Sequence, residues 1–199
     1  MRHQNVIQYQ SREYSRSRFD DKIRFRKLLS YLHPKPNDRI LEIGCNRGIV
    51  TKRIQAFSPQ AFGIDINQEA IRHGVTHNLF VMDATKLDFD DRSFAKIYSS
   101  HTIEHLPEPQ KMLKEIDRVL QPGGIAILIY PAEPIRGMLV FHSSWVMLRN
   151  PFRIREIHLH KFTPKKIQHL LSGTNLRHVE SSFSFFMSPQ FFTILQKNI

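Results

Sequence analysis

The stretch LEIGCNRG, Leu41–Gly48, sets one carboxylate, Glu42, before a glycine loop, and an apolar run with helical spacing follows it. A turn of this kind presents backbone N–H groups at the start of a helix, where a ligand can be held. A dinucleotide fingerprint needs glycines at positions 46 and 49, but Asn46 and Ile49 stand there. A phosphate-binding P-loop fails as well, since no Gly-Lys-Ser/Thr follows. What remains is acidic-x-Gly-x-x-x-Gly, joined by Asp65 and Asp83 at the ends of the next two strand-like runs. A carboxylate in the place of Asp65 accepts hydrogen bonds from both hydroxyls of a ribose. Asp83 stands where the amine of a base is read, and Glu42 adds a further carboxylate near the loop. This acidic set suits a cofactor with a ribose, an adenine and an ammonium but no phosphate. S-adenosylmethionine is such a cofactor. Asparagine tolerates left-handed backbone angles better than most residues, so the turn survives at Asn46.

Two further groups can move a proton. The segment REIHLHKFTP carries His158 and His160, two residues apart and so on one face of an extended chain. Histidine is the natural base near neutral pH. A two-histidine metal site lacks a third ligand here. Tyr14, in the polar N-terminal arm, is a candidate to fold over the cofactor. The single cysteine, Cys45, excludes a disulfide framework and a thiolate metal cluster, and it points to a reducing compartment.

These residues are positioned by alternating elements. A helix is expected from Asp20 to Leu32, with apolar positions at Ile23, Leu28, Leu29 and Leu32, and the prolines of HPKPND end it. Strands are expected at Arg39–Gly44, Ala61–Ile66, Asn78–Asp83, Phe94–Ser100 and Ile125–Tyr130. Helices fall between them at Ile49–Phe57, after the cap Asn67, and over Glu108–Leu120, where Met112, Leu113, Ile116, Val119 and Leu120 form one stripe. Thr163 caps another helix, and the runs LRHVESSFSFF and FFTILQ read as an antiparallel hairpin. Such alternation implies an α/β layered fold in a single domain. Residues 1–37 are expected to form an arm and capping helix and residues 38–199 the main domain, with an unusually apolar connection over Ile135–Asn150.

The motifs RILEIGCNRG, GIDIN, VMDATKLDFDDRSFAKIYSSHTIEHL and RVLQPGG, in this order, resemble those of class I S-adenosylmethionine-dependent methyltransferases. The likeness is to the type 11 group, which includes ubiquinone- and menaquinone-biosynthesis-like enzymes, and it covers residues 38–131. It implies a Rossmann-like, doubly wound sheet of seven strands with the last strand antiparallel. It implies that Gly44, Cys45, Asn46 and Gly48 pack against the methionine and ribose, and that Glu42 orients the ammonium. Asp65 would bind the ribose, Ile66 would lie on the adenine, and Asp83 with the backbone of Ala84 would read its edge. Ser99, Ser100 and His101 would line the pocket floor. The segment 132–162 lies where this family builds its substrate lid. Glu104-His105 resembles the Glu-His pair of the family, and His105 either orients a helix or carries a proton.

The resulting expectation is methyl transfer from S-adenosylmethionine to a small apolar or aromatic acceptor by in-line displacement. The net charge of +11 leaves an RNA methyltransferase as the alternative, and peripheral contact with an anionic membrane as a further partner. A non-catalytic cofactor-binding protein is the third reading. No Asn/Asp-Pro-Pro-aromatic motif follows the fourth strand, which by the resemblance argues against methylation of exocyclic base amines and of glutamine side chains. No apolar run reaches the ~18 residues that span a bilayer, and the first residues lack a secretory signal. The expected location is the cytoplasm, with peripheral membrane contact as the variant.

Overall fold

The computed structural model describes residues 22–132, 159–185 and 189–199. The elements run α1 (Lys22–Leu32), β1 (Ile40–Ile43), α2 (Ile49–Gln55), β2 (Ala61–Asp65), α3 (Gln68–Arg72), β3 (Leu79–Val81) and β4 (Phe94–Ser100). A 3-10 turn (Ile103–His105), α4 (Pro109–Val119), β5 (Leu120–Pro131), α5 (Pro164–Leu170), β6 (Leu176–Ser184) and β7 (Gln190–Lys197) follow.

The strands form one sheet in the order β3-β2-β1-β4-β5-β7-β6. β1 to β5 pair in parallel, and β7 runs antiparallel to both β5 and β6, so the expected hairpin and antiparallel last strand are present. The chain order reverses between β1 and β4, which places the topological switch point beside the Gly44–Gly48 loop.

Helices cover both faces, and each parallel strand therefore reads as an apolar run. On one face α4 buries Met112, Leu113, Ile116 and Val119 at helical spacing against Leu41, Ile43, Ile97 and Leu128. Proline at its first turn costs no hydrogen bond, because that N–H has no helical partner. On the other face α1 buries Phe25, Leu28 and Leu32 against Ile40, Tyr98 and Ile127. The α1 stripe thus starts at Phe25; Ile23 lies off it and is exposed.

β5 begins earlier than its apolar run. It pairs Leu120 with Phe94, then loops out and resumes at Ile125 opposite Lys96. Gly123, in this bulge, has φ of 75°, which only glycine adopts without strain. Among the described residues no helix is long and apolar enough to cross a membrane.

Candidate active site

The loop after β1 is fixed by its backbone. Gly44 and Cys45 both donate their N–H to the Ile64 carbonyl of β2, each at 2.8 Å. Gly44 has φ of 80°, and a Cβ there would overlap the Thr102 hydroxyl. Asn46 takes φ of 51°, the left-handed angle its residue type tolerates, and Gly48 starts α2 at 72°. Cys45 is buried, and burial with the charges of Glu42 and Asp65 pushes its thiol well above the usual range. It is a packing residue and not a nucleophile.

Asp65 ends β2 nearly buried. Its Oδ2 accepts the Asn46 N–H at 2.7 Å and its Oδ1 the Asn67 N–H at 2.8 Å. The carboxylate thereby braces the loop from the end of β2. Burial raises its pKa, against the hydrogen bonds from Asn67, Asn46 and Ile66. Beside it Ile66 is 39 % exposed, an apolar side chain next to a carboxylate. Asn67 caps α3 by accepting the Ala70 N–H at 2.9 Å.

Glu42 is buried in the middle of the sheet. Its Oε2 accepts from the Thr51 hydroxyl of α2, and Tyr98 of β4 faces it in register. Burial dominates and lifts its carboxyl to about 7, with the Asp65 charge adding and the Thr51 and Tyr98 hydroxyls opposing. Sequence reasoning placed Glu42 near the ligand and did not foresee the Thr51 contact, although Thr51 lies nine residues on in the next helix.

Asp83 is exposed past the end of β3 and accepts from the backbone and hydroxyl of Thr85, at 2.7 and 2.8 Å. Ala84 beside it is buried. Ser99 is buried and donates to the Ile43 carbonyl at 3.0 Å, while Ser100 is half-buried at the tip of β4.

A second polar group follows β4. His101 has φ of 55°, and its N–H donates to the Ile129 carbonyl of β5 at 2.8 Å. Its Nδ1 meets Glu104 Oε1 and its Nε2 meets Gln190 Oε1, both at 3.2 Å. Thr102 donates to the Ile43 carbonyl at 3.2 Å and touches Gly44, so this turn abuts the glycine loop. Glu104 is fully buried. Burial acts to raise its pKa, but the charges of His105 and His101 and the His101 hydrogen bond outweigh it and hold it at about 2. His105 Nε2 lies 3.9 Å from the same oxygen. The His160 N–H donates to the Glu104 carbonyl at 3.2 Å, which brings this predicted proton carrier to the end of β4. Sequence reading had no signal for Gln190, which reaches His101 only because β7 pairs with β5. Tyr14, His158 and the apolar segment Ile135–Asn150 lie outside the described residues.

The carboxyl edge thus joins two sets: a loop with two carboxylates, and a histidine–carboxylate group one strand away. The first suits the ribose, adenine and ammonium of S-adenosylmethionine, because Asp65 offers acceptors beside an exposed apolar side chain.

Comparison with known proteins agrees with this geometry. A family model described as a methyltransferase domain matches residues 12–181. The sterol 4-C-methyltransferase strm-1 of Caenorhabditis elegans is 31% identical over 98 residues, 44% of this chain and 29% of that protein. The 24-methylenesterol C-methyltransferase 2 of Oryza sativa subsp. japonica is 30% identical over 112 residues, 51% of this chain and 31% of that protein. The chain therefore spans under a third of the length of these relatives. A methyltransferase of Haloferax volcanii, solved in complex with the Trm112 methyltransferase activator, has the same fold. Its TM-score is 0.71 at 16% identity, over 87% of this chain and 88% of that one. With the family model matched over most of its length and the seven-stranded sheet in place, the chain belongs to the class I S-adenosylmethionine-dependent methyltransferases.

Proposed function

We propose that the protein transfers a methyl group from S-adenosylmethionine to an apolar acceptor. The observation that carries the cofactor half is Asp65, a carboxylate held by the backbone N–H groups of Asn46 and Asn67 at the switch point beside the exposed Ile66. In this reading Asp65 takes the ribose hydroxyls, and Ile66 lies on the adenine. Asp83 and the Ala84 backbone read the adenine edge. Gly44, Cys45, Asn46 and Gly48 leave room for the methionine chain, Glu42 supplies negative charge at its ammonium end, and Ser99, Ser100 and His101 form the floor. Bound S-adenosylmethionine supplies a methyl on a sulfonium, a good leaving group. The residues of the chain then position the nucleophile in line and exclude water.

An apolar acceptor is supported by aromatic rings along the same edge. Tyr130, at the end of β5, lies 5.8 Å from Phe191, which lies 5.6 Å from Phe183, itself 6.3 Å from Phe185. Phe183 and Phe185 are exposed, the latter 62 %. Ser184 and Pro131 both pair with Gln190, so these rings stand at the carboxyl edge and not at the far end of the sheet. The two relatives named above methylate sterols by their names, which agrees with a flat apolar body.

Calorimetry with S-adenosylhomocysteine tests this reading. Asp65→Ala should weaken binding at least ~10-fold, about 1.5 kcal/mol, the scale of hydrogen bonds to a charged group. Equal affinity in wild type and variant removes the ribose assignment.

A further inference from the structure

Two buried polar atoms at the carboxyl edge have no hydrogen-bond partner among the described residues: Glu104 Oε2 and His160 Nε2. Their backbones are joined by the 3.2 Å bond from His160 N–H to the Glu104 carbonyl. Glu104 Oε1 is occupied by His101, so the unmatched charge density rests on Oε2. An unsatisfied buried group costs about 1–3 kcal/mol, and more when charged. The fold bears that cost at a turn that touches the glycine loop through Thr102. Of the other such atoms, Ser93 Oγ lies before β4, Tyr98 Oη inside β4 and Asp117 Oδ1 in α4.

We propose that this pair receives the head group of the acceptor, and that the head is a hydroxyl on an aromatic or similarly flat apolar body, with His160 as the group that takes its proton. The inference rests on the methyl-transfer reading above. The anionic Glu104 repels a carboxylate or phosphate head, and a cationic head would be repelled by the sulfonium. A hydroxyl instead donates to Glu104 Oε2 or His160 Nε2 and remains neutral until reaction. The body continues along the rings: His160 lies 5.6 Å from Phe162, and Phe162 lies 6.1 Å from Tyr130, which begins the strip ending at Phe185. In the step, the O–H bond breaks with its proton passing to His160 Nε2. The oxygen gains the methyl, and the electron pair of the carbon–sulfur bond stays on sulfur as a neutral thioether. The imidazolium so formed is balanced by Glu104.

The test compares nonylphenol with its thiol analogue, nonylbenzenethiol, near pH 8. The thiol ionises unaided and needs no base; the phenol does need one. His160→Asn should lower phenol turnover ~100-fold while leaving the thiol within about threefold, the mark of a lost proton acceptor. Glu104→Gln should lower kcat/KM for the phenol with S-adenosylhomocysteine affinity unchanged, which also shows that the variant folds. In wild type saturated with S-adenosylhomocysteine, nonylphenol should shift the ring nitrogen resonances of His160. Equal loss on both probes, no loss on either, no turnover of either probe by wild type, or a His160 ring blind to the phenol overturns the proposal. Failure of wild type to bind S-adenosylhomocysteine overturns the underlying reading instead, and the proposal with it.

Discussion

Replacing Glu42 by glutamine should stabilise the protein above neutral pH and change little in acid. Burial lifts the Glu42 carboxyl from its ordinary 4.5 to about 7. The folded state therefore holds this proton more tightly than the unfolded chain does. The stability it contributes is fully present below pH 4.5 and is lost as pH rises through 7. The displacement is roughly 2.5 pH units, and at about 1.4 kcal/mol for each the loss is about 3.5 kcal/mol. Glutamine keeps an oxygen to accept from Thr51 and carries no charge to desolvate. Urea denaturation of wild type and Glu42→Gln at intervals from pH 4 to pH 8 reads the difference directly. Contributions from the histidines and from Glu104 are common to both proteins and cancel. The variant should gain on wild type across the window between 4.5 and 7, and level off above it. A stability difference that stays constant with pH would show that Glu42 is not a strained buried carboxylate, and the reasoning would fail.

Gly44→Ala should cost at least ~2 kcal/mol, because alanine meets both a φ of 80° and the Thr102 hydroxyl, and it should abolish cofactor binding. Denaturant melts and calorimetry check both parts; a variant as stable as wild type contradicts the turn geometry. Arg118→Ala should lower stability by about 2 kcal/mol, a Tm fall of about 4–8 °C, read by thermal melting. Arg118 donates to the Phe89 carbonyl at 2.7 Å, the Leu87 carbonyl at 2.8 Å and both oxygens of Glu115. It thereby fastens the stretch after β3 to α4. An unchanged Tm would mean the loop is held without it.

The layered fold was legible because its signals are local. The stripe Met112, Leu113, Ile116, Val119 and Leu120 is fully buried as its spacing requires, and Asn67 and Thr163 cap the helices they precede. Element ends were less legible. The second helix ends at Gln55, before the exposed Phe57, and β5 absorbs the Pro122-Gly123-Gly124 bulge because Leu120 still pairs with Phe94. The glycine loop and Asp65 could be read from residue types and spacing, since backbone conformation and strand ends dictate them. The histidine–carboxylate group could not. Glu104, His101, Gln190 and His160 meet only through strand pairing and one backbone bond between distant segments, and no local pattern encodes that. Likewise the burial of Glu42 under Thr51 follows from the packing of α2 on the sheet and not from the loop motif.

On the proposed function, the Asp65 edge of the switch point holds the adenosyl group. A crystal structure with S-adenosylhomocysteine tests it most directly. Both ribose hydroxyls should lie within hydrogen-bond distance of the Asp65 carboxylate, with adenine against Ile66 and the sulfur facing the His101–Glu104 turn. The ligand bound away from Asp65, or NADH bound at the loop in preference, would contradict it.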